Sequence, residues 1–297
     1  MARNSPSFID ALLYFEQSIY ASDTMNLLSR LVIIASLFLT WIPLGYTQVL
    51  FCVEATEYPP FNYQQRHQQT SDQWVGYDID VLKRVFIPAK VDYRIIPLPW
   101  LRCLKEVERG EIDGAMSASL NPRRQSLYLA TQPYYHLTPS YYYLKSAFPH
   151  GVNIKQARDL LNLGSVCGID GFNYDNFGFS PSDAIYRIKA LFQLPKMLEQ
   201  GRCHFFLARQ EVFSATLVLN RLTHLEDKLA AQVMPDTKPE PFHILISRQS
   251  RHKEQLLSLL NSKIEAMRQS GKLKRLLHYH RYIVTQFEPV TPLPGNQ

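Results

Sequence analysis

Four cysteines, nine histidines and 26 acidic side chains carry most of the chemistry that this chain's residue types allow. Cys52, Cys103, Cys167 and Cys203 stand far apart and form no Cys-x-x-Cys pair, so the spacing of a zinc site or a thioredoxin-type motif is missing. In an oxidising compartment, four cysteines admit three disulfide connectivities. Cys167 and Cys203 both fall in strand-like apolar runs of the later half, so a bridge between neighbouring strands is one reading and buried free thiols the other. Only His278 and His280 share a metal-like spacing, and so near the end of the chain a surface role is the better reading. Asp78 and Asp80 could pair as carboxylates, but they sit where Gly76-Tyr-Asp-Ile-Asp80 opens a helical pattern. Acids in a first turn cap orphan N–H groups and complement the helix dipole, so capping is expected of them. No Ser-His-Asp order, metal cluster or glycine-rich phosphate loop is present, and neither a metal nor a cofactor is expected.

The framework that must position such residues is legible in composition. Among the 297 residues, 17 Tyr, 16 Phe and 3 Trp imply a well-buried core and exclude a disordered chain. The length suits one large domain or two smaller ones. No heptad run or fixed repeat is visible, which removes coiled-coil and solenoid classes. The net charge of +6 is spread among interspersed acids and bases, a weak nucleic-acid signal. From Arg251 to Arg281 the bases share their helix with an apolar stripe of Leu256, Leu260, Ile264 and Met267. One face of that helix is therefore buried and the bases are its solvated side, so no nucleic-acid partner is expected.

Residues 31–45 form an apolar run shorter than the roughly 20 residues of a membrane span. With Met25 and Arg30 before it and Gly45 and Thr47 after it, residues 25–47 read as a signal peptide. Residues 1–24 read as a misassigned N-terminal extension, with Met25 the better initiator. An uncleaved anchor is the competing reading. Export makes the mature chain, from about Gln48, a periplasmic protein of the secreted, Gram-negative type.

Beyond the signal, strands are expected at 49–54, 91–96 and 112–116, with helices opening near Gly76 and Leu101. A second cycle follows, with strands at 165–169 and 203–207, helices at 195–199 and 211–222, a strand at 242–247 and a closing helix pair. This alternation is the grammar of a parallel α/β sheet, written twice. Joining stretches near 134–138 and 240–244 divide the chain into lobe 1 (48–138 and 241–297) and lobe 2 (139–240).

Taken together, the motifs resemble the family 3 extracellular solute-binding proteins, periplasmic receptors typified by polar amino acid uptake systems. Tyr58-Pro-Pro-Phe61 resembles the family's opening motif, and Gly76-Tyr-Asp-Ile-Asp80 its G-F-D-V-D. Trp100, Leu104 and Gly110-Glu-Ile-Asp113 are similar to its aromatic–helix–G-x-x-D segment. Asn121-Pro-Arg-Arg124, Gln132-Pro-Tyr-Tyr135 and Gly201-Arg-Cys-His204 follow in the family's order, and the resemblance covers most of 49–285. It implies a type II periplasmic-binding-protein-like α/β fold, each lobe a mainly parallel sheet flanked by helices, with the ligand cleft between lobes.

The resemblance also implies a site. Arg124 falls at the family's carboxylate-binding arginine, whose planar fork can donate two parallel hydrogen bonds. Tyr58 and Trp100 fall at the aromatic walls, and Ser117 and Ser119 lie on the approach to the arginine. Gly171, Phe172 and Asn173 occupy the turn where the family offers backbone donors, and a helix N-terminus there would favour an anion. One departure stands out. The aspartate that binds a ligand ammonium group is here Arg209, with Glu211 two residues on as a substitute, and the aspartate of the G-R-V-D motif is His204. Two arginines facing one partly dry cleft favour an anionic ligand over a zwitterion. The function implied is a non-enzymatic, monomeric receptor that closes over a small polar, anionic, amino acid-like or carboxylate metabolite. Its partner would be an ABC transporter permease or a membrane sensor. The rival on the same fold is a periplasmic dehydratase of the cyclohexadienyl type, with Glu57 or Glu211 as its cleft acid.

Overall fold

The computed structural model of the chain describes residues 48–66 and 73–286. The expected extension (1–24) and signal segment (25–47) lie outside them. No described helix is long and apolar enough to cross a membrane. The chain starts with β1 (Val49–Glu54), then the short strands β2 (Tyr63–Gln64) and β3 (Trp74–Val75). Helix α1 (Tyr77–Ala89) buries Val81, Leu82, Val85 and Phe86 at helical spacing. Strand β4 (Tyr93–Leu98) leads into α2 (Trp100–Arg109), then β5 (Gly114–Ser119), α3 (Pro122–Leu127), β6 (Tyr128–Ala130) and β7 (Tyr135–Leu137).

The second cycle holds β8 (Pro139–Leu144), α4 (Asp159–Leu163), β9 (Val166–Ile169), β10 (Ile185–Ile188), α5 (Leu194–Glu199), β11 (Phe205–Arg209), α6 (Gln210–Leu219) and β12 (Leu229–Val233). The chain then returns through β13 (Glu240–Ser247) and ends in α7 (Lys253–Gln269) and α8 (Lys272–Thr285), the latter packed on α1, α6 and α7.

Two main sheets result. The first runs β4-β1-β5-β13-β6, with β7 also paired to β13, and the second runs β10-β9-β11-β8-β12. In the first, β1 is parallel to β4, in register from Val49 opposite Tyr93 to Glu54 opposite Leu98, and parallel to β5. Strand β13 is antiparallel to β5, β6 and β7. In the second, β9 is parallel to β10 and β11, whereas β8 is antiparallel to β11 and β12. The expectation of mainly parallel sheets holds. One strand runs against the rest in each sheet, β13 in the first and β8 in the second, because on these strands the chain arrives from the other sheet.

The six expected long strands are all present, whereas β8, β10 and β12 were not foreseen. In β8, Tyr141 and Tyr143 pack near Phe205, and Tyr142 stacks on Phe206 from the other face. Burial on both faces removes the polar–apolar alternation that betrays a strand.

The chain crosses between the sheets twice, at Thr138 and over 234–239. Three consecutive residues hold both crossings. The Glu211 carboxylate accepts from Thr138 N (2.9 Å) and Oγ1 (2.8 Å), and Gln210 N donates to Thr138 O. Arg209 donates through Nε and Nη2 to the two carboxylate oxygens of Glu240, at 2.8 and 3.0 Å, with both side chains almost fully buried. Two disulfides add further ties: Cys52–Cys103 joins β1 to α2, and Cys167–Cys203 joins β9 to the residues just before β11.

The disulfides span 51 and 36 residues, for which loop-closure entropy predicts about 4 kcal/mol of stabilisation each. Urea unfolding of the Cys52→Ser/Cys103→Ser and Cys167→Ser/Cys203→Ser variants should reveal losses of that order. The ion pair makes a second prediction. Burial alone raises the Glu240 carboxyl, but Arg209 outweighs it and holds it below the ordinary value of 4.5. The pair's contribution is therefore complete above that value and is lost as pH falls through the depressed one. Glu240→Ala leaves a buried guanidinium unpaired and should cost about 3–5 kcal/mol at neutral pH, with the deficit shrinking in acid.

Candidate functional site

Arg124 sits in α3, where Pro122 is pre-organised for a first turn and the Asn121 side chain caps by accepting from Arg124 N at 2.9 Å. From there the guanidinium reaches across between the two sheets. Its Nη1 donates to Ser119 O (2.8 Å) and its Nη2 to Gly171 O (2.9 Å), while its Cζ stands 5.7 Å from the Trp100 ring centre. It is 8% exposed and has no carboxylate within ion-pair distance among the described residues. Burial first, then the nearby Arg209, push its pKa down to about 10, so it stays charged at neutral pH. Two carbonyls solvate this cation, and no described carboxylate forms an ion pair with it.

Around Arg124 lies a pocket lined by residues of both sheets. Its aromatic walls are Tyr58, Trp100, Phe172 and Phe242. Tyr58 is set by a tight turn in which Tyr58 N donates to Asn62 O at 2.8 Å. Trp100 is the first residue of α2, and it is 7% exposed. Phe172 comes from the second sheet and meets the Tyr58 ring edge-on at 5.7 Å. Just before it, Gly171 has a left-handed φ of 74°, and a Cβ there would press to 2.6 Å from Leu101, so only glycine suits the position.

The polar lining is Glu54, Asn62, Ser117, Ser119, Asn173 and Arg209, with Met116 between them. Ser117 is engaged below the pocket, donating to Asp78 Oδ2 (2.5 Å) and accepting from Tyr135 OH (2.6 Å). Asp78 also accepts from Tyr134 OH (2.6 Å) and Asn62 Nδ2 (2.7 Å), and burial raises its pKa. The capping expected of Asp78 and Asp80 is thereby corrected. Gly76 occupies the cap position of α1 with no side-chain bond, Asp78 anchors the pocket floor, and Asp80 pairs with His280, Lys83 and Arg84. Ser119 and Asn173 tie the walls together, Asn173 Nδ2 donating to Ser119 Oγ at 3.2 Å.

Three expectations change. Arg209 lines the pocket, but its charge is matched by Glu240 and its Nη2 also donates to Asn173 O at 2.6 Å. The two-arginine argument for an anionic ligand loses one of its cations. Glu211 is not in the lining, because its carboxylate is engaged by Thr138 and lies 3.8 Å from Arg281. The turn at Gly171–Asn173 offers carbonyl acceptors to the arginines rather than donors, and a three-residue 3-10 turn over Asp175–Phe177 follows instead of a helix N-terminus. His204 faces Ser165, and Glu57 pairs with Arg66 at 2.6 Å outside the pocket.

Sequence reading missed Glu54, Asn62, Phe242 and Glu240. Asn62 directly follows the Tyr-Pro-Pro-Phe motif, and Glu54 is the one acid ending an otherwise apolar strand, so both left a faint signal. Glu240 and Phe242 left none, since only the chain's return brings β13 to the cleft.

The family model of the bacterial extracellular solute-binding proteins, family 3, matches residues 50–282. A search of curated protein sequences returns no match. Solved structures share the fold at low identity. The amino acid ABC transporter substrate-binding protein AbpA from Streptococcus pneumoniae, bound to L-arginine, is 17% identical with a TM-score of 0.64, over 80% of this chain and 96% of its own. A histidine kinase sensor domain with similarity to periplasmic binding proteins is 12% identical with a TM-score of 0.64, over 78% and 95%. The ancestral amino acid-binding protein AncCDT-1, a precursor of cyclohexadienyl dehydratase, is 18% identical with a TM-score of 0.61, over 78% and 94%. Fold, motif order and family match agree, and the chain belongs to the bacterial extracellular solute-binding proteins, family 3.

Proposed function

We propose that the protein is a periplasmic receptor that captures a small polar, carboxylate-bearing metabolite of amino acid type and delivers it to an ABC transporter permease or a membrane sensor. One observation carries this reading: Arg124 is a buried guanidinium with no ion-pair partner among the described residues, set among aromatic walls drawn from both sheets. A buried cation in that condition is stabilised most by a ligand carboxylate. Lobes of 48–138 with 241–297 and of 139–240 would close over the ligand, with Tyr58 and Trp100 on one side and Phe172 on the other. The same geometry removes the reason for a doubly anionic ligand, because Glu240 already matches Arg209.

A dehydratase of the cyclohexadienyl type needs a protonated carboxyl in the cleft. Glu57 and Glu211 stand outside the pocket, whereas Glu54 lines it and burial raises its pKa. Turnover of prephenate or arogenate by the purified protein would support that second reading, and binding without turnover the first.

A thermal-shift screen of metabolites should find a ligand that stabilises the protein by about 2.7 kcal/mol at a hundred times its Kd. Calorimetry with that ligand should then show binding abolished in Arg124→Ala and weakened by about tenfold or more in Arg124→Lys, which keeps charge but loses the fork. Unchanged affinity in Arg124→Ala would refute the assignment. Trp100 makes a separate prediction. It lines the pocket and Trp74, on β3, does not, so ligand-induced fluorescence change should vanish in Trp100→Phe and persist in Trp74→Phe.

A further inference from the structure

Helix α2 starts at the pocket, and its own sequence does little to hold it there. Trp100, its first residue, is a pocket wall, but Pro99 before it offers no capping side chain and the first turn carries no acid. The N–H groups of that turn have no partner inside the helix. At ten residues, α2 is also shorter than the roughly 12–15 at which isolated helices become even marginal. The position of the indole must therefore be set from outside the helix.

Strand β1 does this at two points. Its register with β4 ends at Glu54 opposite Leu98, two residues before α2 begins. The buried Glu54 carboxylate accepts from the backbone N–H of Trp100 as well as from Thr56 N, the latter at 2.9 Å. It thereby satisfies one orphan donor and sets an acid at the positive end of the helix, the part a capping residue would play. Cys103, three residues after Trp100 on the same helix face, is joined to Cys52, two residues before Glu54. Both cysteines are buried in one apolar cluster with Trp100, and Phe172 of the second sheet packs against that cluster. Gly171 lies on the same turn of α2, since a Cβ there would stand 3.2 Å from the Trp100 ring.

We propose that Glu54 and the Cys52–Cys103 disulfide are positioning elements for ligand capture. The carboxylate caps α2, the disulfide pins it to β1, and together they hold the Trp100 wall where the second sheet meets it. What that wall does for a ligand rests on the receptor reading above, whereas its placement is measurable without one. A wall ordered in advance spares a ligand the cost of ordering it.

Substituting Trp41→Phe and Trp74→Phe leaves Trp100 as the sole tryptophan. In that background, Cys52→Ser/Cys103→Ser should shift the Trp100 emission to the red and increase its quenching by acrylamide. Cys167→Ser/Cys203→Ser, which removes a bridge of the second sheet, should leave both signals unchanged. Glu54→Ala should act as the first cysteine variant does, and Glu54→Gln, which keeps an acceptor for the Trp100 N–H, should restore the wild-type signal. Calorimetry with L-glutamine and L-arginine as probes should give affinities about three- to tenfold weaker in Cys52→Ser/Cys103→Ser and Glu54→Ala. Cys167→Ser/Cys203→Ser and Glu54→Gln should bind as the wild type does. If Cys52→Ser/Cys103→Ser fails to fold, the two Glu54 variants decide. A Trp100 signal that Glu54→Ala leaves unchanged, or that both cysteine variants move equally, overturns the positioning role. Failure of both probes to bind the wild type counts against the receptor reading alone, because the Trp100 signal still decides the positioning.

Discussion

The buried pair of Arg209 and Glu240 is the contact on which the arrangement of this molecule depends. Two charges removed from water are costly, and the cost is offset only when geometry is close to ideal and the remaining polar atoms are satisfied. Both conditions are met here. The guanidinium donates through two nitrogens to the two carboxylate oxygens and spends its other contact on Asn173 O, while Asn176 Nδ2 donates to Glu240 at 2.8 Å. The pair can form only if the end of β11 lies against the start of β13, which fixes the second crossing between sheets. Its neighbour Glu211 fixes the first through Thr138. A segment that reads as the edge of a ligand site is thus the joint of the fold.

This joint also sets the electrostatics of the cleft. With Arg209 neutralised, the Arg124 guanidinium is left as the cation lining the pocket without a described carboxylate partner. In a low-dielectric pocket, unmatched charges act strongly on whatever enters and are weakly screened by salt. The floor beneath them is rigid for the same reason. Asp78 collects donors from Asn62, Ser117 and Tyr134, so three separate stretches of the chain share one carboxylate. Ser117 holds a left-handed φ of 57° there, a conformation that the surrounding bonds over-determine.

Much of the fold was written locally. Apolar runs marked the six long strands, the spacing of Val81, Leu82, Val85 and Phe86 marked α1, and Gly110 marked the end of α2. The ordered motifs from Tyr58 to His204 pointed to the family that the comparison over residues 50–282 shows. Such features depend on neighbours a few residues away, so a linear reading reaches them. Strand β8 escaped because both its faces are buried, and the direction of β13 escaped because it depends on how the chain returns.

By itself, then, the sequence determined the α/β class and the order of the family's motifs. Only the tertiary structure decided which charges in that cleft are free. Glu240 lies 31 residues from Arg209, and no local pattern couples residues so distant. Whether a buried arginine is an unmatched cation or half of an ion pair depends on what stands within about 4 Å of it. That is a property of packing, and packing is assembled only when the chain closes on itself.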